Sequence, residues 1–125
     1  MNIAFASSTG EKVDQHFGWS QQFYLYEVGK ESAALLRVID SSEEPEGEVA
    51  KLNYKIGTIE EADIVYCTQI GPKASKMVQA AGIYPVRVAE GEELLAAIKN
   101  IHEMLQGEPP MWLLRIFHKA RARSA

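Results

Sequence analysis

The stretch 63-DIVYCTQIGPKAS-75 decides the fold. Residues 63–68 are almost wholly apolar, as expected of a strand covered on both faces. Gln69-Ile70-Gly71-Pro72 makes a sharp turn, and Pro72 suits the first position of a new helix. That helix is predicted over residues 73–81 and is stopped by Gly82. A second such unit follows. Residues 83–88 read as strand and residues 92–106 as helix, with Leu94, Leu95, Ile98, Ile101, Met104 and Leu105 on one side and acids in the first turn. Strand–helix steps of this kind demand parallel pairing through right-handed crossovers.

Upstream the pattern changes. Residues 2–6 form a short apolar strand that runs into Ser7-Ser8-Thr9-Gly10, which is turn chemistry. Residues 23–28 are aromatic and β-rich, break at Gly29-Lys30-Glu31, and are followed by a second run over residues 35–39. The two read as an antiparallel hairpin. After an acidic loop over residues 40–47, Val49, Leu52, Ile56 and Ile59 recur at helical spacing, with Gly57 weakening the end of that helix. The order β-β-β-α-β-α-β-α predicts an α/β fold with a mixed five-stranded sheet and helices on its faces.

Composition bounds what such a domain does. A chain of 125 residues with 46% hydrophobic and 24% charged residues is an ordinary globular domain, able to bury a core without staples. The net charge of −4 argues against a dedicated nucleic-acid binder, which needs clustered Lys and Arg. Glu43, Glu44, Glu46 and Glu48 form an acidic run, while Arg115, Lys119, Arg121 and Arg123 crowd the C-terminal end. One cysteine, Cys67, excludes an internal disulfide and fits a reducing compartment. No secretion signal is apparent, and no stretch approaches the ~20 apolar residues of a membrane span. A cytoplasmic protein without membrane contact is expected.

Ligands of open α/β sheets collect beyond the carboxyl ends of the strands. Two such ends are polar: Ser7, Ser8 and Thr9 after the first strand, and Thr68, Gln69 and Gly71 before a helix N-terminus, which favours anions. These residues either frame a shallow anion site or merely make tight turns. In 13-VDQHFGWSQQFYLYEV-28, His16 occupies a loop where no strand pattern needs an imidazole. Neutral imidazole suits iron, zinc and copper. Phe17 and Trp19 would anchor the loop or fence a ligand, Gly18 implies a special backbone angle, and Asp14 would cap the turn or orient the imidazole. Cys67 is a second candidate metal ligand, placed either in the core or at the rim. The histidines His16, His102 and His118 have no paired spacing, Cys67 has no CxxC partner, and nucleotide and nucleophile-elbow motifs are absent. The pattern is that of a binder rather than an enzyme.

Taken together, IAFASS, DQHFGWSQQFYLYEV, ADIVYCTQIGPKAS and AGIYPVRV resemble the NifX family, carriers in nitrogenase iron–molybdenum cofactor biosynthesis related to NafY and to the C-terminal domain of NifB. The resemblance spans residues 1–106. The ending EPPMWLLRIF is similar to the Pro-Pro-Trp-Leu ending common in the family, making residues 107–125 an amphipathic basic tail. The resemblance implies a three-layer, ribonuclease-H-like fold and no catalysis. It also implies a transiently carried iron–sulfur precursor of the cofactor, with NifB as its source and the scaffold NifEN as recipient, in a monomer or weak homodimer. The family's HFG histidine, here His16, is the implied cluster contact. Many relatives carry two glycines before the proline of the later turn, where this chain has only Gly71.

Ordinary iron–sulfur sites use about four thiolates, which one cysteine cannot supply. A preassembled cluster needs only an end cap. His16 would provide it, with Ser7, Ser8, Thr9, Phe17, Gly18, Thr68, Gln69 and Gly71 around the guest. Trp112, Leu113, Ile116 and Phe117 share one face of the tail, which either folds back onto the sheet or docks on a partner. Two rival readings are a ribonuclease-H-like metal-dependent nuclease, needing gathered carboxylates such as Asp14 and Asp63, and a cluster-free regulatory interaction protein.

Overall fold

The computed structural model describes residues 1–124; Ala125, the end of the tail, lies outside the described residues. In chain order the elements are β1 (Asn2–Ala6), β2 (Lys12–Val13), a 3-10 turn (Phe17–Trp19), β3 (Gln22–Val28), β4 (Ala33–Asp40) and α1 (Glu48–Thr58). There follow β5 (Ile64–Cys67), α2 (Pro72–Ala80), β6 (Tyr84–Arg87), β7 (Glu92–Glu93), α3 (Leu94–Gln106) and α4 (Met111–Ser124). Five strands form one mixed sheet in the order β4-β3-β1-β5-β6. β1 is parallel to β5 and β5 to β6, whereas β3 is antiparallel to both its neighbours. This is the mixed α/β sheet expected from the element order.

Strand alternation sorts the core into two layers. Ala4, Ala6, Phe23, Leu25, Val65 and Cys67 pack with Leu52 of α1 and Ala74 and Val78 of α2. Ile3, Phe5, Ile64 and Tyr66 point the other way, against Leu94, Ile98 and Ile101 of α3 and Leu113 of α4. Helices therefore cover both faces. The Phe5 ring stacks on Tyr66 at 5.0 Å, which ties β1 to β5 on the α3 side.

Two local readings differ from the sequence expectation. The last predicted helix begins at Leu94, not 92, because Glu92 and Glu93 pair with Lys12 and Val13 as a short antiparallel ribbon. Gly91 N–H donates to Val13 C=O at 3.0 Å and Leu94 N–H to Glu11 C=O at 2.9 Å, so tertiary pairing wins over the helical preference of the acids. Gly18 also lacks the special angle: positive φ occurs at Gly10, Gly47, Gly82 and Gly91 among the described residues. It is Gly10 that is constrained, since a Cβ there would come within 2.5 Å of the Tyr24 ring.

The amino ends of the central strands are pinned by side chains. Asp63 accepts the Asn2 N–H at 2.7 Å, and Arg123 of α4 donates to both its oxygens at 2.8 and 3.0 Å. The Trp112 ring stacks on Tyr84 at 4.6 Å, so the tail lies along β6 and covers the α3 layer. Lys55 of α1 is buried, donating to the carbonyls of Ser20 and Ser41 and closing the loop between the 3-10 turn and β3. No described helix is long and apolar enough to cross a membrane.

Candidate functional site at the carboxyl ends of the central strands

The loop after β2 returns across the carboxyl end of β5 and is zipped to it. Thr68 N–H donates to Gln15 C=O at 3.0 Å, and Phe17 N–H to Gln69 C=O at 2.8 Å. His16 and Gln69 thereby form an isolated parallel bridge. Phe17 is wholly buried, tilted against Phe23 with ring centres 5.9 Å apart, and anchors the loop from below. With the backbone fixed on both sides, His16, itself partly buried, is held at the sheet rim. Its free face is stacked by Trp19, ring centres 4.6 Å apart and planes within 13°, and that indole is 69% exposed.

His16 stands between two open cavities. One of about 400 Å³ is lined by His16, Thr68, Gln69, Arg87, Val88, Ala89 and Glu90. The other, of about 470 Å³, runs from His16, Gly18 and Trp19 to Gln69, Gly71, Pro72 and Lys73, with Glu48 and Leu52 on its far wall. Gly71 has open space where a Cβ would point, so the turn is not closed over the second cavity. Thr68 is buried, and its hydroxyl has no hydrogen-bond partner among the described residues.

The serine–threonine turn lies elsewhere. The Ser7 hydroxyl is buried, donates to Lys12 C=O at 2.5 Å and accepts the Gly10 N–H at 2.9 Å. Thr9 accepts the Glu11 N–H at 3.1 Å. Ser8 donates to Asp14 through both its N–H, at 2.9 Å, and its hydroxyl, at 2.5 Å. Burial works to raise the Asp14 carboxyl, but these hydrogen bonds and one from Gln15 outweigh it and hold it below the usual range. Ser7 and Ser8 border a third cavity with Gln15, Trp19, Gln21 and Gln22, on the other side of the loop from Thr68. Asp14 thus organises the turn and not the imidazole.

Cys67 is fully buried in the α1–α2 layer. Burial pushes its thiol up to about 11, against the neighbouring charge of Arg87, so it stays protonated and ill-suited to bind metal. No three His, Cys, Asp or Glu side chains among the described residues converge as a metal-holding group. Asp14 and Asp63 lie at opposite ends of β1 and engage Ser8 and Arg123, so they are not gathered around one metal. Arg87 and Glu90 were not singled out from sequence. The carboxyl-end rule, applied to the strand at residues 83–88 as it was to its neighbour, points to Ala89 and Glu90, whereas Arg87 needs the strand order as well.

The candidate site is thus a rim histidine between two open cavities on a mixed α/β sheet. Residues 1–104 match the family model described as dinitrogenase iron-molybdenum cofactor, and the chain belongs to that family. Within it the chain is similar to NifX of Azotobacter vinelandii, 36% identical over 122 residues covering 97% of this chain and 77% of the relative. NifX of Herbaspirillum seropedicae is 31% identical, covering 98% and 86%. The FeMo cofactor biosynthesis protein NifB of Rhizobium meliloti matches over 87% of this chain but 23% of its own length, at 28% identity. Among solved structures, the apo orange protein of Desulfovibrio gigas shares the fold with a TM-score of 0.60 at 23% identity, covering 88% and 91% of the two chains. These likenesses support a role in iron–molybdenum cofactor biosynthesis.

Proposed function

We propose that this chain is a carrier of an iron–sulfur precursor of the iron–molybdenum cofactor, receiving a NifB-made cluster and passing it to the NifEN scaffold without catalysing a reaction. One observation carries this reading: a backbone-fixed, partly buried histidine, stacked on Trp19, stands between two open cavities. A preassembled cluster brings its own sulfide framework, so one nitrogen at its end holds it and few bonds need breaking at release. Thr68 and Gln69 serve as the surrounding contacts, while Gly71 keeps the neighbouring α2 turn open. Ser7, Ser8 and Thr9 are engaged within their own turn and shape the loop instead. Residues 1–106 would form the carrying unit in the cytoplasm, with the α4 tail bracing it.

The test is anaerobic titration with isolated NifB-made cluster, followed by iron spectroscopy on wild type and His16→Ala. Wild type should turn brown, and the variant should bind at least about tenfold more weakly, the scale expected even for an outer-shell metal partner. Melting should change little, because the ring contact of His16 is with Trp19, which is itself exposed. Equal uptake by the variant would overturn the role of His16. No uptake by wild type would overturn the carrier reading.

A further inference from the structure

We infer that Arg87 is the charge-recognition residue of this site, and that an anionic cluster sits on the β6 side of His16 rather than over the α2 turn. The assignment rests on the carrier reading above and specifies where the guest lies.

Both cavities beside His16 carry a cation, but the two cations differ. Lys73, on the α2 side, lies 3.9 Å from Glu48, which shares that cavity and offsets its charge. Arg87, on the β6 side, makes no ion pair or hydrogen bond among the described residues. It is the last residue of β6 and lies level with Cys67 in the parallel register, so the strand pair brings its Cα to the rim where Thr68 follows. A guanidinium presents several donors in a planar fork and sheds water more readily than an ammonium, which suits a large, soft anion.

An independent observation marks the same cavity. Thr68 lines this cavity, and its buried hydroxyl has no partner among the described residues. A buried hydroxyl left unpaired is costly, and such sites call for a specific explanation. A guest seated between His16 and Arg87 would approach the segment that carries it. The α2-side cavity has no such unpaired group among the described residues. Glu90, on the wall shared with Arg87, opposes an anion there. The grip therefore depends on one cation, and it remains loose enough for handover.

The experiment uses the full chain and the isolated NifB-made cluster, comparing wild type, Arg87→Gln, Arg87→Lys and Lys73→Gln under anaerobic titration at low and high salt. Arg87→Gln should bind about tenfold more weakly at low salt, as expected for one lost charge-assisted contact. Arg87→Lys should lose less than Arg87→Gln, and Lys73→Gln should stay within about twofold of wild type. High salt should narrow the gap between wild type and Arg87→Gln. Because Arg87 is exposed and unpaired, melting curves of all variants should superimpose. If Arg87→Gln binds as well as wild type, or Lys73→Gln weakens binding as much as Arg87→Gln does, the assignment falls. His16→Ala in the same series separates the outcomes: its loss of uptake beside an unaffected Arg87→Gln leaves the carrier reading standing without this one.

Discussion

The two ends of the central strands obey opposite rules. At the amino ends, Asp63 is buried and saturated, with Asn2 and both arms of Arg123 donating to it. At the carboxyl ends, among the described residues, Thr68 keeps a buried hydroxyl without a partner, Arg87 has no counter-ion, and His16 is only partly buried. Both ends belong to the same three parallel strands and share the same core. Paired polar groups hold the architecture; unpaired ones lower stability and are tolerated where a guest completes them. The contrast singles out the same candidate site without reference to any relative.

Breaking the satisfied end should have the largest effect. Asp63→Ala strands the Asn2 N–H and removes both anchors of Arg123, and it should cost about 3 kcal/mol of unfolding free energy. Urea denaturation measures it. Since Asp63 lies a strand length from His16, cluster uptake per folded molecule should not change. A loss below about 1 kcal/mol would mean that the amino end is held by the sheet alone, and the contrast between the ends would weaken.

Much of this was legible in the sequence, for stated physical reasons. The apolar run ending at Cys67 and the turn before Pro72 announced a parallel strand and its helix, and both formed within a residue of the expected bounds. The ribbon of β2 and β7 was not legible, because two residues per strand are too few to show a period. The run at residues 35–39 read as strand and is one, but Leu35, Leu36 and Val38 stay about half exposed because β4 is the outer strand, paired on one side only. His16 stood out because it interrupts a pattern. Arg87 did not, since only the strand order β1-β5-β6 brings its rim beside that of Thr68. The hydroxyls of Ser7, Ser8 and Thr9 left two readings open, and their hydrogen bonds are spent inside the turn.

The second effect sharpens the comparison within a single strand. Cys67 adjoins Thr68 yet faces the core, and burial lifts its thiol to about 11 from an unfolded value near 9. Between those two values the unfolded chain releases a proton that the native chain keeps. Stability from this group is therefore complete below pH 9 and is lost as pH rises towards 11. Relative to Cys67→Ala, wild type should lose up to about 2 kcal/mol across that interval, read from urea curves at stepped pH. Parallel curves for the two proteins would show the thiol to be in contact with water, and Cys67 would return as a candidate ligand.

The smallest effect carries the opposite sign and bears most directly on the rule. Thr68→Val keeps the branched shape and removes the unpartnered hydroxyl, so stability should stay level or rise by up to about 1 kcal/mol. Asp63 and Thr68 are both buried polar residues at the ends of one strand, yet deleting the polar group should harm the protein in the first case and spare or help it in the second. If the hydroxyl is kept for a guest, the Val variant should also bind cluster more weakly than wild type while melting no earlier. A clear loss of stability in Thr68→Val would mean that the empty protein already satisfies this hydroxyl, through water at the cavity wall. The two strand ends would then differ in solvation rather than in purpose.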